Sequence, residues 1–195
     1  IRPILFIHGA YGAADSYNAM AQLFLRNDDY SSDLLYAIDL QDYFEGGAPS
    51  PQKMGEQIKA KVDEIVTATG EGRVDIIAHG VGVQGVQHYL TQMGGTDRGA
   101  HIVWIGGTID ETIHLNGTLT PAPCEYLTIV SDGNDATQNN KPGAGTIAGV
   151  NNFEVAGADH HQLLSDGPAF SAIYKFFTGL TPPKTDLEFR QLGYN

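Results

Sequence analysis

Short unbroken apolar runs alternate along this chain with longer stretches in which apolar residues recur every three or four positions. Ile4-Leu5-Phe6-Ile7, Leu34 to Ile38 and Ile102 to Ile105 are of the first kind, the pattern of strands buried on both faces; Val74 to Ala78, interrupted by Asp75, and Leu127 to Val130, interrupted by Thr128, continue the strand series. Phe153 to Val155 is a weaker sixth candidate. Of the second kind, Tyr17, Met20, Ala21 and Phe24 fall at i, i+3, i+4 and i+7, with Asp15 or Ser16 available as a helix cap. Met54, Ile58, Val62, Ile65 and Val66 form one stripe of a helix that Ser50-Pro51 opens and Gly70 closes. Val83, Val86, Tyr89, Leu90 and Met93 mark another helix, and Phe170, Ile173, Tyr174 and Phe177 the last. The segment Gln41 to Pro51, with Gly46-Gly47 and two prolines, reads as a loop. Strands alternating with helices imply right-handed crossovers, hence an α/β fold: a mostly parallel sheet of about six strands with helices on both faces.

Length and composition narrow the class. A chain of 195 residues has the size of one domain and can bury roughly 70% of its unfolded surface. One domain over residues 1–180 is expected, with Thr181-Pro182-Pro183 opening a C-terminal extension over 181–195. Apolar residues make up 42% and charged residues 17%, which fits neither a disordered chain nor a coiled coil. Eleven Lys and Arg against 23 Asp and Glu leave a net charge of −12, a surface that repels a phosphate backbone, so nucleic acid is not an expected partner. No apolar run approaches the ~20 residues of a membrane span. The start at Ile1 suggests a processed or trimmed product, and secretion is the expectation. Cys124 is the sole cysteine, so an intrachain disulfide and a four-cysteine zinc site are both excluded. No cofactor is expected.

Candidate chemistry clusters where strands end, which is where open α/β sheets bind ligands. Val74-Asp75-Ile76-Ile77-Ala78-His79-Gly80-Val81-Gly82 runs from strand to helix with only His79 and Gly80 between. That is the setting of a nucleophile elbow, in which the middle residue of G-x-S-x-G presents a serine hydroxyl clear of the sheet. Here Ala78 meets the steric demand of the first glycine, but Gly80 stands in the nucleophile position and has no side chain with which to attack. Two aperiodic segments, Gly106 to Pro123 and Asp132 to Val150, also follow strand ends.

With these residues the chain resembles the α/β-hydrolase superfamily, in particular the small secreted bacterial lipases with an Ala-His-Ser-x-Gly elbow and the extracellular polyhydroxyalkanoate depolymerases. The resemblance runs from about Ile4 to Phe177 and implies a minimal α/β hydrolase without a large cap domain, hence an open site. Ile7-His8-Gly9-Ala10-Tyr11-Gly12 resembles the family's oxyanion loop, which assigns the backbone N–H groups of Ala10 and Val81 to an oxyanion hole. The family's order of nucleophile, acid and histidine places the acid in Ser131-Asp132-Gly133-Asn134-Asp135, at Asp135 with Asp132 as the reserve. It places the histidine in Gly157-Ala158-Asp159-His160-His161-Gln162-Leu163-Leu164, at His160. In such a triad the imidazole takes the nucleophile's proton and returns it to the leaving group, and the carboxylate orients it.

The implied activity is carboxylic ester hydrolysis by a lipase, esterase or polyester depolymerase whose serine is replaced by Gly80, so that the chain as written is inert or nearly so. The alternative is a natural pseudoenzyme that uses the cleft to bind a ligand or a partner. A relocated nucleophile at Ser131, Ser165, Thr108 or Cys124 is disfavoured because none lies in an elbow. Tyr11, Tyr17, Tyr43, Phe44 and Leu163 are the candidates to line a cleft for a small ester, lipid or polyester; a monomer is expected. Other features have plainer readings. His79 packs or hydrogen-bonds beneath the elbow, and His88 lies within a helix. Glu111 and His114 are three apart in a segment without helical period, so no metal site is expected there. Gly82-x-x-Gly85 serves close helix packing and lacks the rest of a nucleotide fingerprint.

Overall fold

The computed structural model describes residues 1–107, 122–138, 140 and 145–187. Its six principal strands are β1 (Ile4–Ile7), β2 (Leu35–Ile38), β5 (Val74–His79), β6 (Gly99–Ile105), β7 (Glu125–Ser131) and β8 (Asn151–Val155). They form one sheet in the order β2-β1-β5-β6-β7-β8, and every pairing is parallel. Two further strands, β3 (Phe44–Glu45) and β4 (Ala48–Pro49), make a separate antiparallel hairpin. The helices are α1 (Asn18–Leu25), α2 (Pro51–Thr69), α3 (Gly82–Gln92) and α4 (Gly167–Thr178). No separate cap domain occurs among the described residues.

Alternation along the strands sorts side chains into two cores. Ile4 and Phe6 of β1 join Met20 and Phe24 of α1 and Phe170 and Tyr174 of α4 on one face. Leu5 and Ile7 join Ile58 and Val62 of α2 and Val86 and Leu90 of α3 on the other. In β1 every position of that two-residue period is buried, so the strand reads along the chain as an unbroken apolar run.

Local chemistry sets α2 at both ends. The Ser50 hydroxyl accepts from Lys53 N, Pro51 occupies the first turn, and Gly70 ends the helix at φ +75°. α1 departs from expectation: Ala14–Tyr17 form a 3-10 turn ahead of it, and Ser16 Oγ accepts from Ala13 N. The Asp39 carboxylate also accepts from Ala14 N, so a residue from beyond β2 sets this helix entry. The segment from Gln41 to Pro51 is not wholly loop, because Gly46 and Gly47, at φ +59° and +85°, make the tight turn of the β3–β4 hairpin. Residues 181–187 of the expected extension fold back onto the domain, where Asn27 bonds both N and O of Lys184; residues 188–195 lie outside the described residues.

The elbow depends on backbone contact. A Cβ on Gly82 would stand 2.6 Å from His8 O and 3.0 Å from Ile7 Cγ2, so α3 can begin this close to β1 only with glycine there. Gly82→Ala is therefore expected to cost about 1–3 kcal/mol of stability. Urea unfolding should show a lower midpoint at unchanged m-value.

Candidate active site

At the end of β5 the chain turns through Gly80 at φ +53°. Its N–H donates to Ile105 O at 3.0 Å and its carbonyl accepts from Val83 N at 3.3 Å. This left-handed backbone is strained for any residue with a side chain. His160, from the loop after β8, faces the turn: its Nε2 lies 3.3 Å from where a Cβ on Gly80 would stand. The other ring nitrogen, Nδ1, is 2.9 Å from Asp135 Oδ2.

The loops that carry these two side chains are tied together. Ser131 Oγ donates to Ala158 O at 2.7 Å and accepts from Asn134 N, and Asn134 Nδ2 donates to Gly157 O. Asp135, only 2% exposed, accepts at Oδ1 from both the backbone N and the hydroxyl of Thr137, at 2.9 and 2.6 Å. The same hydroxyl oxygen lies 3.0 Å from His160 Nδ1. Burial pushes the Asp135 carboxyl up, but the bonds from Thr137 and the charge and hydrogen bond of His160 outweigh it, so its pKa is held below the ordinary value. Ionised Asp135 fixes the proton of His160 on Nδ1 and leaves Nε2 as the basic nitrogen facing Gly80. The reserve acid, Asp132, makes no hydrogen bond to His160; its N–H donates to Val155 O at the sheet edge.

Three participants were not singled out as site residues from sequence. Thr137 buttresses Asp135. Gly106, at φ +52°, makes room for the imidazole, since a Cβ there would stand 2.9 Å from His160 Nδ1. His79 does hydrogen-bond beneath the elbow: its Nε2 donates to His160 O at 3.0 Å and the two rings are 4.2 Å apart. Burial, and then the neighbouring His160, lower the His79 pKa to about 4, so His79 stays neutral. Between its ordinary value of 6.5 and about 4 the unfolded chain binds the extra proton, so stability is full above that window and falls as pH falls through it. The loss attributable to His79 is at most about 3 kcal/mol. His79→Asn should flatten this limb, as read from urea unfolding at a series of pH values.

The segment expected to form the oxyanion loop comes close to position 80 at Gly9, whose Cα is 3.5 Å from the would-be Cβ. His8 holds the loop: Nδ1 donates to Gly9 O at 2.7 Å, and Nε2 accepts from Leu40 N at 2.9 Å. Tyr11 takes φ +57° and its N–H donates to the Tyr43 hydroxyl at 3.3 Å. Among the described residues, neither Ala10 N–H nor Val81 N–H, at the entry to α3, has an acceptor within the chain.

Of the expected cleft residues, Tyr11 is 92% exposed and stacks on the partly exposed Phe44 at 5.8 Å, with Tyr43 beneath them. Tyr17 is a correction: it is buried in the α1 core, its hydroxyl donating to Ile7 O. Leu163 is a second: it is wholly buried and packs beneath Gly106, behind His160. Ser131 is engaged between the two loops, and Cys124 donates to Gly99 O at the opposite end of the sheet. Thr108, Glu111 and His114 lie outside the described residues.

A parallel sheet in this order, with an abrupt strand-to-helix turn after β5, defines the α/β-hydrolase fold. Solved structures share it across nearly the whole chain. The lin2722 gene product of Listeria innocua is 16% identical with TM-score 0.67, covering 94% of this chain and 96% of its own. The mature form of the Bacillus licheniformis lipase BlEst2 is also 16% identical, with TM-score 0.66 and 92% of each chain covered. Carboxylesterase CesB of Bacillus subtilis is 12% identical with TM-score 0.58, covering 91% of this chain and 84% of its own. At these identities the likeness is one of fold. Residues 1–118 match the family described as lipase (class 2), more than half of the chain, and the protein belongs to that family.

Proposed function

We propose that this chain carries the acid–base pair and oxyanion donors of a lipase-type carboxylic ester hydrolase and lacks only the nucleophilic side chain, at Gly80. The observation that carries this reading is the placement of His160, with Nδ1 on Asp135 and Nε2 3.3 Å from the position of a side chain at residue 80. A serine there would hold its hydroxyl within reach of that nitrogen, as covalent catalysis requires. The exposed Tyr11–Phe44 pair suits esters with an apolar acyl or alcohol group, which includes lipids and polyesters.

On this reading the covalent route through position 80 is closed to the chain as it stands. Gly80→Ser, assayed beside the parent on p-nitrophenyl esters, tests the reading: a gain that depends on His160 supports it, and a folded variant no faster than the parent contradicts it. One observation favours a second reading, a natural binding protein built on the same cleft. At φ +53° glycine is relaxed where serine is strained. On that reading the parent binds a short alkylsulfonate saturably, and His160→Ala leaves that binding intact.

A further inference from the structure

We propose that the chain in its present form has a hydrolytic activity of its own, in which His160 activates water directly and no acyl-enzyme forms. The inference rests on the reading of His160, Asp135 and the oxyanion donors given above. Three observations carry it. The imidazole is held by groups that owe nothing to residue 80: Asp135 and Thr137 at Nδ1, the neighbouring His79 ring, and the close approach that Gly106 permits. Among the described residues, and apart from Gly80 and its two chain neighbours, the atoms nearest to the place of a side chain on Gly80 are His160 Nε2 at 3.3 Å and Gly9 Cα at 3.5 Å. With the imidazole proton on Nδ1, Nε2 is left as an acceptor aimed at that space, where among the described residues no protein donor engages it.

A water molecule in van der Waals contact with Gly80 Cα that donates to Nε2 stands close to where a serine hydroxyl would act. As its oxygen attacks the ester carbonyl carbon, one water proton passes to Nε2 and the carbonyl π pair moves onto oxygen, toward the N–H groups of Ala10 and Val81. Collapse of the tetrahedral adduct breaks the bond to the alkoxy group, which leaves with the proton from Nε2. Ester and water are consumed, acid and alcohol are released, and His160 returns to its starting form. General-base assistance of this kind contributes about 10²–10⁴-fold, so the activity is slow beside a serine enzyme but distinct from background.

The test uses the full chain, pretreated with a p-nitrophenyl alkylphosphonate so that any serine esterase carried over from the host is silenced. Hydrolysis of p-nitrophenyl acetate and butyrate by the parent should be linear without a burst, slowed in D₂O, and unaffected by the phosphonate. It should fall by about 10² or more in His160→Ala, with His160→Gln as a second variant should the first fail to fold. A parent no faster than both His160 variants, alongside an active Gly80→Ser variant, overturns this proposal and leaves the underlying reading standing. Inactivity of Gly80→Ser as well overturns that reading. A burst in the parent, or its inactivation by the phosphonate, overturns the water route in favour of a nucleophile elsewhere in the chain.

Discussion

Gly80→Ser should hydrolyse short- and medium-chain p-nitrophenyl esters several orders of magnitude faster than the parent. In another serine hydrolase, removal of the nucleophile costs about 10⁶ in rate, or roughly 8–9 kcal/mol of transition-state stabilisation. The reverse change can recover most of that only where the base, the acid and the oxyanion donors are already placed. His160 Nε2 lies 3.3 Å from the Cβ that the substitution introduces, and Asp135 already holds the far side of the ring. The new residue must adopt the φ of +53° that glycine takes freely, at an expected cost of about 1–3 kcal/mol. The variant should therefore be more active and less stable than the parent, with a lower urea midpoint beside the gain in turnover.

The second large effect is its reversal. In the Gly80→Ser background, His160→Ala should abolish nearly the whole gain, a loss of about 10⁶, because nucleophile and base act as a unit. Asp135→Asn in the same background should cost about 10⁴. An amide at this position no longer selects the Nδ1–H tautomer and cannot stabilise the imidazolium that forms at the transition state. Asp132→Asn should leave turnover close to that of Gly80→Ser alone, since the Asp132 carboxylate makes no hydrogen bond to His160. Steady-state kcat/KM for the three double variants checks this order.

Local signals carried most of the fold. The α2 boundaries were legible because Ser50, Pro51 and Gly70 act on their own neighbours. The start of α1 was not, because the turn at Ala14–Tyr17 is braced by the distant Asp39 carboxylate. The β3–β4 hairpin has two-residue strands, too short to show a period, although its Gly46-Gly47 turn was visible as a break. β6 and β7 extend beyond their apolar runs because pairing, not hydrophobicity, orders their first residues: His101 of β6 pairs with Glu125 of β7.

In the site, Gly80, Asp135 and His160 could be nominated because each follows a strand in the family's order. Asp135 and Asp132 could not be separated from sequence, since the choice depends on how Ser131 and Asn134 fold the loop back onto Gly157 and Ala158. Thr137 and Gly106 acquire roles only when the loops after β6, β7 and β8 meet. Tyr17 already lay on the apolar stripe of its helix, and that stripe was the better guide to its burial than nearness to the oxyanion loop.

The central claim is that one missing side chain separates this protein from a working serine hydrolase. Intact-protein and peptide mass spectrometry after exposure to a p-nitrophenyl alkylphosphonate tests it most directly, because phosphonylation requires nucleophile, base and oxyanion donors at once. The account predicts one adduct per chain on the Gly80→Ser variant, mapped to position 80 and strongly slowed by His160→Ala, and none on the parent. A folded Gly80→Ser variant that stays unlabelled, or labelling that maps to another residue, would contradict it.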